Sequence, residues 1–155
     1  MTALAELARR TDAAVQRARA ELVTGVRAAH ASGLTQAEIA REIGRSQPEV
    51  SRLLHFHGRS ARGRALRRNK PAVLALISEI GGGRVRVFGS VATGTDGPDS
   101  DIDLLIDLSD DVGMLRIART ERLLADILGY SVDLVSSSDL RADLRDRVLA
   151  EAVPL

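Results

Sequence analysis

Along the 155 residues of this chain the spacing of apolar residues first changes at Gly81-Gly82-Gly83. Before that triplet, apolar positions recur three and four apart, the repeat of a helix with one buried face. After it, Arg84 to Phe88 alternates polar and apolar, the repeat of a half-buried strand. A chain that is helical first and strand-bearing afterwards is confined to the α+β class: an all-α N-terminal domain followed by a small domain of short strands and flanking helices.

The pattern fills in as follows. Leu4, Leu7, Val15, Ala18, Leu22, Val26 and Ala29 predict one long helix from residue 2 to about 31, stopped by Ser32-Gly33. Two short helices fit 35–54. Residues 55–70, HFHGRSARGRALRRNK, read as a basic linker with a short helix around Ala65. Pro71 suits the first turn of a helix over 72–80. Strands are expected at 84–88, 102–106 and 131–135. Residues 89–100 read as a loop with one helical turn. Helices are expected at 114–128 and 140–152, the last capped by Asp139 or Ser138.

Charge divides the chain at the same place. The formal net charge is +1, but residues 1–70 carry 14 Lys or Arg against 6 Asp or Glu, and residues 71–155 carry 8 against 15. A basic half and an acidic half imply domains with different partners, here 1–58 and 71–155 joined by a linker at 59–70. Arginine outnumbers lysine 21 to 1, so basic contacts can be bidentate. There is no cysteine, which excludes disulfides, thiolate nucleophiles and zinc-thiolate sites. His30, His55 and His57 are too few and too badly spaced for an all-histidine metal site. No apolar run is long enough to span a membrane, and MTALAELARR lacks the uninterrupted apolar stretch of a signal peptide, so a cytoplasmic location is expected.

Within the basic half, Thr35 and Glu38 form a T-x-x-E capping box, and Ser46 and Glu49 form a second one. Gly44 falls between them, where a left-handed residue is needed. Ala40 is small where the helices cross, and Ile39, Ile43, Val50 and Leu53 supply the contact. This resembles the helix-turn-helix of phage-repressor-type transcription factors. The resemblance implies that the second helix enters the major groove of operator DNA, usually as a homodimer. Gln47, Ser51 and Arg52 are then the candidate DNA-binding residues, and the arginines of the linker add phosphate contacts. A helical hairpin that docks a protein partner is the alternative.

The acidic half contains RVRVFGSVATGTDGPDSDIDLLID. Gly89-Ser90 follow a strand; Gly89 permits close backbone approach to a phosphate, and Ser90 offers a hydroxyl and an N–H. Asp101 and Asp103 lie two apart on the next strand and share a face at about 7 Å, while Ile102 and Leu104 turn to the core. Paired carboxylates of this kind suit hard divalent cations. Asp133, between Val132 and Leu134, is an isolated acid in an apolar strand, a costly placement unless it is paired or holds a metal. Asp107, Asp110 and Asp111 read as a solvated strand end and helix start, Asp96 and Asp99 as turn residues, and His55 and His57 as surface groups.

The order G-S-x10-D-x-D with a later strand aspartate resembles the minimal branch of the nucleotidyltransferase superfamily that contains DNA polymerase beta, over residues 71–155. The resemblance implies a short mixed sheet with flanking helices. It gives Gly89 and Ser90 the triphosphate, and Asp101, Asp103 and Asp133 both the catalytic role and two Mg²⁺ ions. It implies transfer of AMP from ATP to a hydroxyl, and as partner a HEPN-domain ribonuclease toxin, modified on tyrosine by an antitoxin that also represses its own operon. Thr93 stands where many minimal members carry a basic residue, so that grip would fall to Arg84, Arg86 or a partner. A transcriptional regulator or binding antitoxin with a silent acidic domain, and a small-molecule nucleotidyltransferase, are the alternatives.

Overall fold

A computed structural model describes residues 2–155, apart from the side chains of Gln16 and Ala20. Three helices come first: α1 (Ala3–Ala31), α2 (Gln36–Glu42) and α3 (Gln47–Leu54). Both capping boxes form. The Glu38 carboxylate accepts from the Thr35 N–H at 2.8 Å, and the Glu49 carboxylate accepts from the Ser46 N–H at 2.8 Å. Gly44 turns the chain between α2 and α3 at φ +65°, the left-handed conformation expected of it. Val26 of α1, Ile39 and Ala40 of α2, and Val50 and Leu54 of α3 close a small core of their own. The N-terminal half of α1 does not share in it: Leu4, Leu7 and Val15 are 74%, 57% and 58% exposed.

The stretch 59–70 is more ordered than a linker. Ser60 caps α4 (Ala61–Arg68), the short helix expected around Ala65, and Leu66 of that helix is fully buried in the second, larger core. Seven of its eight residues are arginine, glycine or alanine, so its single large apolar anchor leaves no periodic signal. Helix α5 (Lys70–Glu79) follows, with Pro71 in its first turn.

The second half alternates strand and helix: β1 (Gly83–Phe88), α6 (Gly89–Thr93), β2 (Ile102–Asp107), α7 (Met114–Leu128), β3 (Val132–Ser136), α8 (Ala142–Glu151) and β4 (Val153–Pro154). Among the described residues these strands form one mixed sheet in the order β3-β2-β1-β4. β2 and β3 run parallel, joined through α7, and β1 is antiparallel to both β2 and β4. The two-residue β4 is too short for its own period and was not foreseen. α8 begins after Arg141 with no side-chain cap, so neither Asp139 nor Ser138 has the capping role expected.

One face of the sheet is closed by α4, α5 and α7. Leu66, Val73, Ile77, Leu124 and Leu128 pack there on Val85, Val87, Ile102, Leu104, Ile106, Val132 and Leu134. The opposite face is only partly covered: α8 lays Val148 and Ala152 over Leu105, with Phe88 and Val135 alongside. Among the described residues no helix is long and apolar enough to cross a membrane. Truncating a fully buried leucine leaves a cavity that its surroundings only partly fill, so Leu66→Ala should lower unfolding free energy by about 2–5 kcal/mol in urea titrations. Leu4→Ala, on the exposed half of α1, should change it by less than about 0.5 kcal/mol.

Candidate active site

The uncovered part of that second face is where the acidic residues gather. Strand β2 alternates: Ile102 and Leu104 are fully buried on the core side, and Asp103 and Leu105 face the other way. Leu105 is capped by α8, and Asp103, one repeat further toward the strand's start, is left half-buried. In the parallel pairing of β2 and β3, Asp103 is the register partner of Asp133, which puts both carboxylates on one face of adjacent strands. Asp101 lies just before β2 rather than inside it, and is exposed.

The burial cost expected at Asp133 falls on its neighbour. Asp133 is exposed between buried Val132 and Leu134. It is Asp103 whose carboxyl is pushed up from 3.8 to about 6, first by burial, then by the negative charges of Asp133 and Asp101. The group is poised to gain from any positive charge brought between the three.

β1 delivers the glycine and serine to the same place. Phe88 pairs with Asp103 across the antiparallel β1–β2 ladder, so the residue after Phe88 emerges beside that carboxylate. Gly89 does so at φ +67°, and a Cβ placed on it would fall on Asp103 Oδ2. Only glycine satisfies both the left-handed turn and the close approach. Ser90 follows, half-buried, at the start of α6. Thr93 is turned inward: its hydroxyl donates to the carbonyl of Ser90 at 3.1 Å and shares a bond with Thr95 Oγ1 at 2.8 Å. Arg84 and Arg86 do not reach toward Gly89 in its stead. Arg86 donates to Asp107 Oδ1 at 2.6 Å, and Arg84 lies 3.7 Å from Asp107 Oδ2. Asp107, which also accepts from Ser137 Oγ at 2.8 Å, is thus a paired strand-end acid rather than a solvated one.

One residue of the site has no motif to announce it. Arg62, on α4, donates from Nε to the carbonyl of Ser100 at 2.6 Å and from a terminal nitrogen to the carbonyl of Pro98. Its guanidinium lies 4.6 Å from the centre of the Tyr130 ring, and 3.9 Å from Asp96, whose side chain is 2% exposed. Arg62 therefore clamps the loop that ends at Asp101. Asp96 does serve that turn, as expected, but as a buried acid beside a cation.

The donor set fits Mg²⁺, which takes oxygen ligands and commonly uses one or two carboxylates with phosphate and water completing the shell. Among the described residues no three acidic or imidazole groups form a metal cage by themselves. Asp103 and Asp133, side by side with Asp101 nearby, offer the partial shell that a phosphate-bearing substrate completes.

The residues expected at DNA lie elsewhere. Gln47 is exposed at the start of α3; Ser51 is half-buried, its hydroxyl 3.3 Å from His57 Nε2; Arg52 is exposed. His57 is accordingly half-buried rather than a surface group, whereas His55 is exposed and 3.4 Å from the Gln36 amide.

Known proteins share the acidic half. Residues 71–155 match the nucleotidyltransferase domain family, which is more than half of the chain, and the chain belongs to that family. A solved structure assigned by inference as a minimal nucleotidyltransferase is 46% identical, covers 59% of this chain and 94% of its own, and superposes with a TM-score of 0.54. Protein adenylyltransferase MntA of Thermococcus cleftensis is 38% identical over 77 residues, 50% of this chain and 73% of that protein. A Methanocaldococcus jannaschii protein, named by inference as a protein adenylyltransferase, is 31% identical over 84 residues, 54% of this chain and 90% of that one.

The raised Asp103 pKa has a sign that thermal melts can read. The folded protein holds a proton on Asp103 between about pH 4 and 6 that the unfolded chain has released, so this residue's contribution destabilises progressively as pH rises through that window and levels off above it. Asp103→Asn should therefore melt above wild type at pH 7.5 in metal-free buffer, with the gap closing toward pH 4.

Proposed function

We propose that this protein is a nucleotidyltransferase that moves AMP from ATP to a hydroxyl on a partner protein. The observation that carries the reading is the register pairing of Asp103 with Asp133, with Gly89 crossing directly over the Asp103 carboxylate. The family assignment and the names of the two archaeal relatives point the same way.

In this reading Gly89 and Ser90 hold the triphosphate, the serine through its hydroxyl and N–H. Asp101 and Asp103 hold two Mg²⁺ ions, with Asp133 completing one of the shells. When bound, those ions neutralise the triphosphate and stabilise the entering and leaving oxygens. Asp133, exposed beside the pair, accepts the proton of the attacking hydroxyl. Attack is in line on the α-phosphorus: the new O–P bond forms as the bond to pyrophosphate breaks. The family half is 85 residues long, which leaves little surface for an acceptor pocket of its own, and an acceptor brought by a partner fits that size. We take that partner to be a HEPN-type ribonuclease toxin modified on tyrosine, which makes this chain a cytoplasmic antitoxin.

The helical half would supply operator binding, with Gln47, Ser51 and Arg52 of α3 toward the bases and phosphates. The exposed stripe of Leu4, Leu7 and Val15 on α1 supports a homodimer, the state in which one such unit reads two half-sites.

Intact-mass measurement tests the transfer. With ATP, Mg²⁺ and the protein encoded beside it, that partner should gain one or more AMP masses. Asp101→Ala/Asp103→Ala should abolish the gain while leaving the complex intact; no gain with wild type under any nucleoside triphosphate would leave a binding antitoxin or regulator. Operator binding, measured by fluorescence anisotropy on the chain's own promoter, should weaken steeply with salt. It should weaken about tenfold or more in Arg52→Ala, a loss of the size of one good base or phosphate contact. Binding indifferent to both would remove the DNA role.

A further inference from the structure

A cleft of about 590 Å³ separates α3 from α6, and it is lined by arginine. Arg19 of α1, Arg45 before α3, Arg52 on α3 and Arg59 after it converge on the cleft from separate segments, joined by His55 and His57. Glu49 is the one carboxylate on its walls, and Arg45, 3.8 Å away, already engages it. Among the described residues the guanidinium groups of Arg52 and Arg59 make no hydrogen bond or close ion pair, and Glu49 is the acid that attracts Arg52 as well as Arg45, so the cleft keeps a surplus of positive charge. Leu53, Val91 and Ala92 add apolar surface to the remaining wall, beside Ser60 and Thr93. None of Asp101, Asp103, Asp133, Gly89 or Ser90 takes part.

We infer that this cleft is a second ligand site, separate from the acidic one, for a linear oligophosphate, free or as the tail of a nucleotide. The cations reach the cleft from α1, the turn before α3, α3 itself and the stretch after it, so a chain of phosphates can engage several of them where a single anion engages fewer. Guanidinium forks match phosphate oxygens bidentately, and the surplus of free cations removes the need for a metal ion. The volume falls within the range of small-molecule sites. The apolar side chains of Leu53, Val91 and Ala92 give a base somewhere to lie. Arg52 belongs both to this cleft and to the candidate DNA-reading surface of α3, so ligand in the cleft and operator on α3 would compete for one side chain. α6 forms the cleft wall at one end and carries Ser90 at the other, which makes it the element through which the two sites meet.

The test uses the full chain in EDTA, which separates this site from metal-dependent nucleotide binding at the aspartates. Titration calorimetry with inorganic triphosphate and with ATP should show binding to wild type. Asp101→Ala/Asp103→Ala should bind equally well, and Arg45→Gln/Arg59→Gln should bind at least tenfold more weakly with an unchanged melting temperature. ATP binding tighter than triphosphate would place a base on the Leu53 wall; equal binding would mark a site for the phosphate chain alone. Loss in the aspartate variant but not the arginine variant would overturn the inference. So would an absence of metal-free binding, or tighter binding of a short single-stranded oligonucleotide than of either probe. Because AMP transfer is not measured, failure here leaves the proposed activity standing, and failure of that activity leaves this site standing.

Discussion

The acidic half is organised around the place where the Gly89 backbone passes over the Asp103 carboxylate. β1 must end there because no residue with a Cβ fits the passage, and α6 must begin there because the chain has just turned left-handed. The antiparallel ladder that pairs Phe88 with Asp103 brings the turn to the carboxylate, and the parallel ladder that pairs Asp103 with Asp133 brings the second acid. One contact thus ties together the ends of three strands, and every group assigned to the candidate site is measured from it.

That arrangement works against folding. Asp103 is half-buried among like charges, and the lift of its pKa measures the strain. The sheet tolerates it because coverage of this face is incomplete. α8 seals Leu105 and stops, so Asp133 and Asp101 keep their water and only the central carboxylate is pinched. Burying all three acids without a partner would cost more than a single small core can offset. The gap left by α8 is therefore as much a part of the site as the aspartates.

Much of this was legible in the sequence because its signals are local. Both capping boxes, the left-handed Gly44, the three longer strands and the span of α7 follow from residues within a few positions of one another. The aspartates were legible because a charge between apolar strand residues breaks an otherwise plain pattern. What escaped depends on distant contacts. β4 is two residues whose only reason to be extended is the edge of β1. Arg62 looked like one cation among many in a basic stretch, and its bonds to Pro98 and Ser100 exist only because α4 is seated by Leu66. Arg84 and Arg86 looked free to grip phosphate until the register placed both beside Asp107. The burial expected at Asp133 went to Asp103 because β3 lies at the edge of the sheet.

The division of charge between the halves takes on a different meaning in three dimensions. As a sequence, a basic first half and an acidic second half suggest surfaces that face outward to separate partners. The structure joins them: α1 packs on α8, Arg27 donates to the carbonyl of Leu149 at 3.3 Å, and Arg52 of α3, with Arg45 and Arg59 to either side of that helix, faces α6 across a cleft. Charge complementarity alone would have closed that cleft, yet its far wall is Val91, Ala92, Thr93 and Gly94, with no acid to meet the guanidinium groups. Of the acids of the second half, Glu151 stands beside Arg19 at the cleft's edge, whereas Asp101, Asp103 and Asp133 gather at Gly89. The basic surplus is thus turned partly inward and only partly neutralised, by Glu49 beside Arg45 and Glu151 beside Arg19, a configuration that costs self-repulsion in the free protein and is relieved by an anion of matching length.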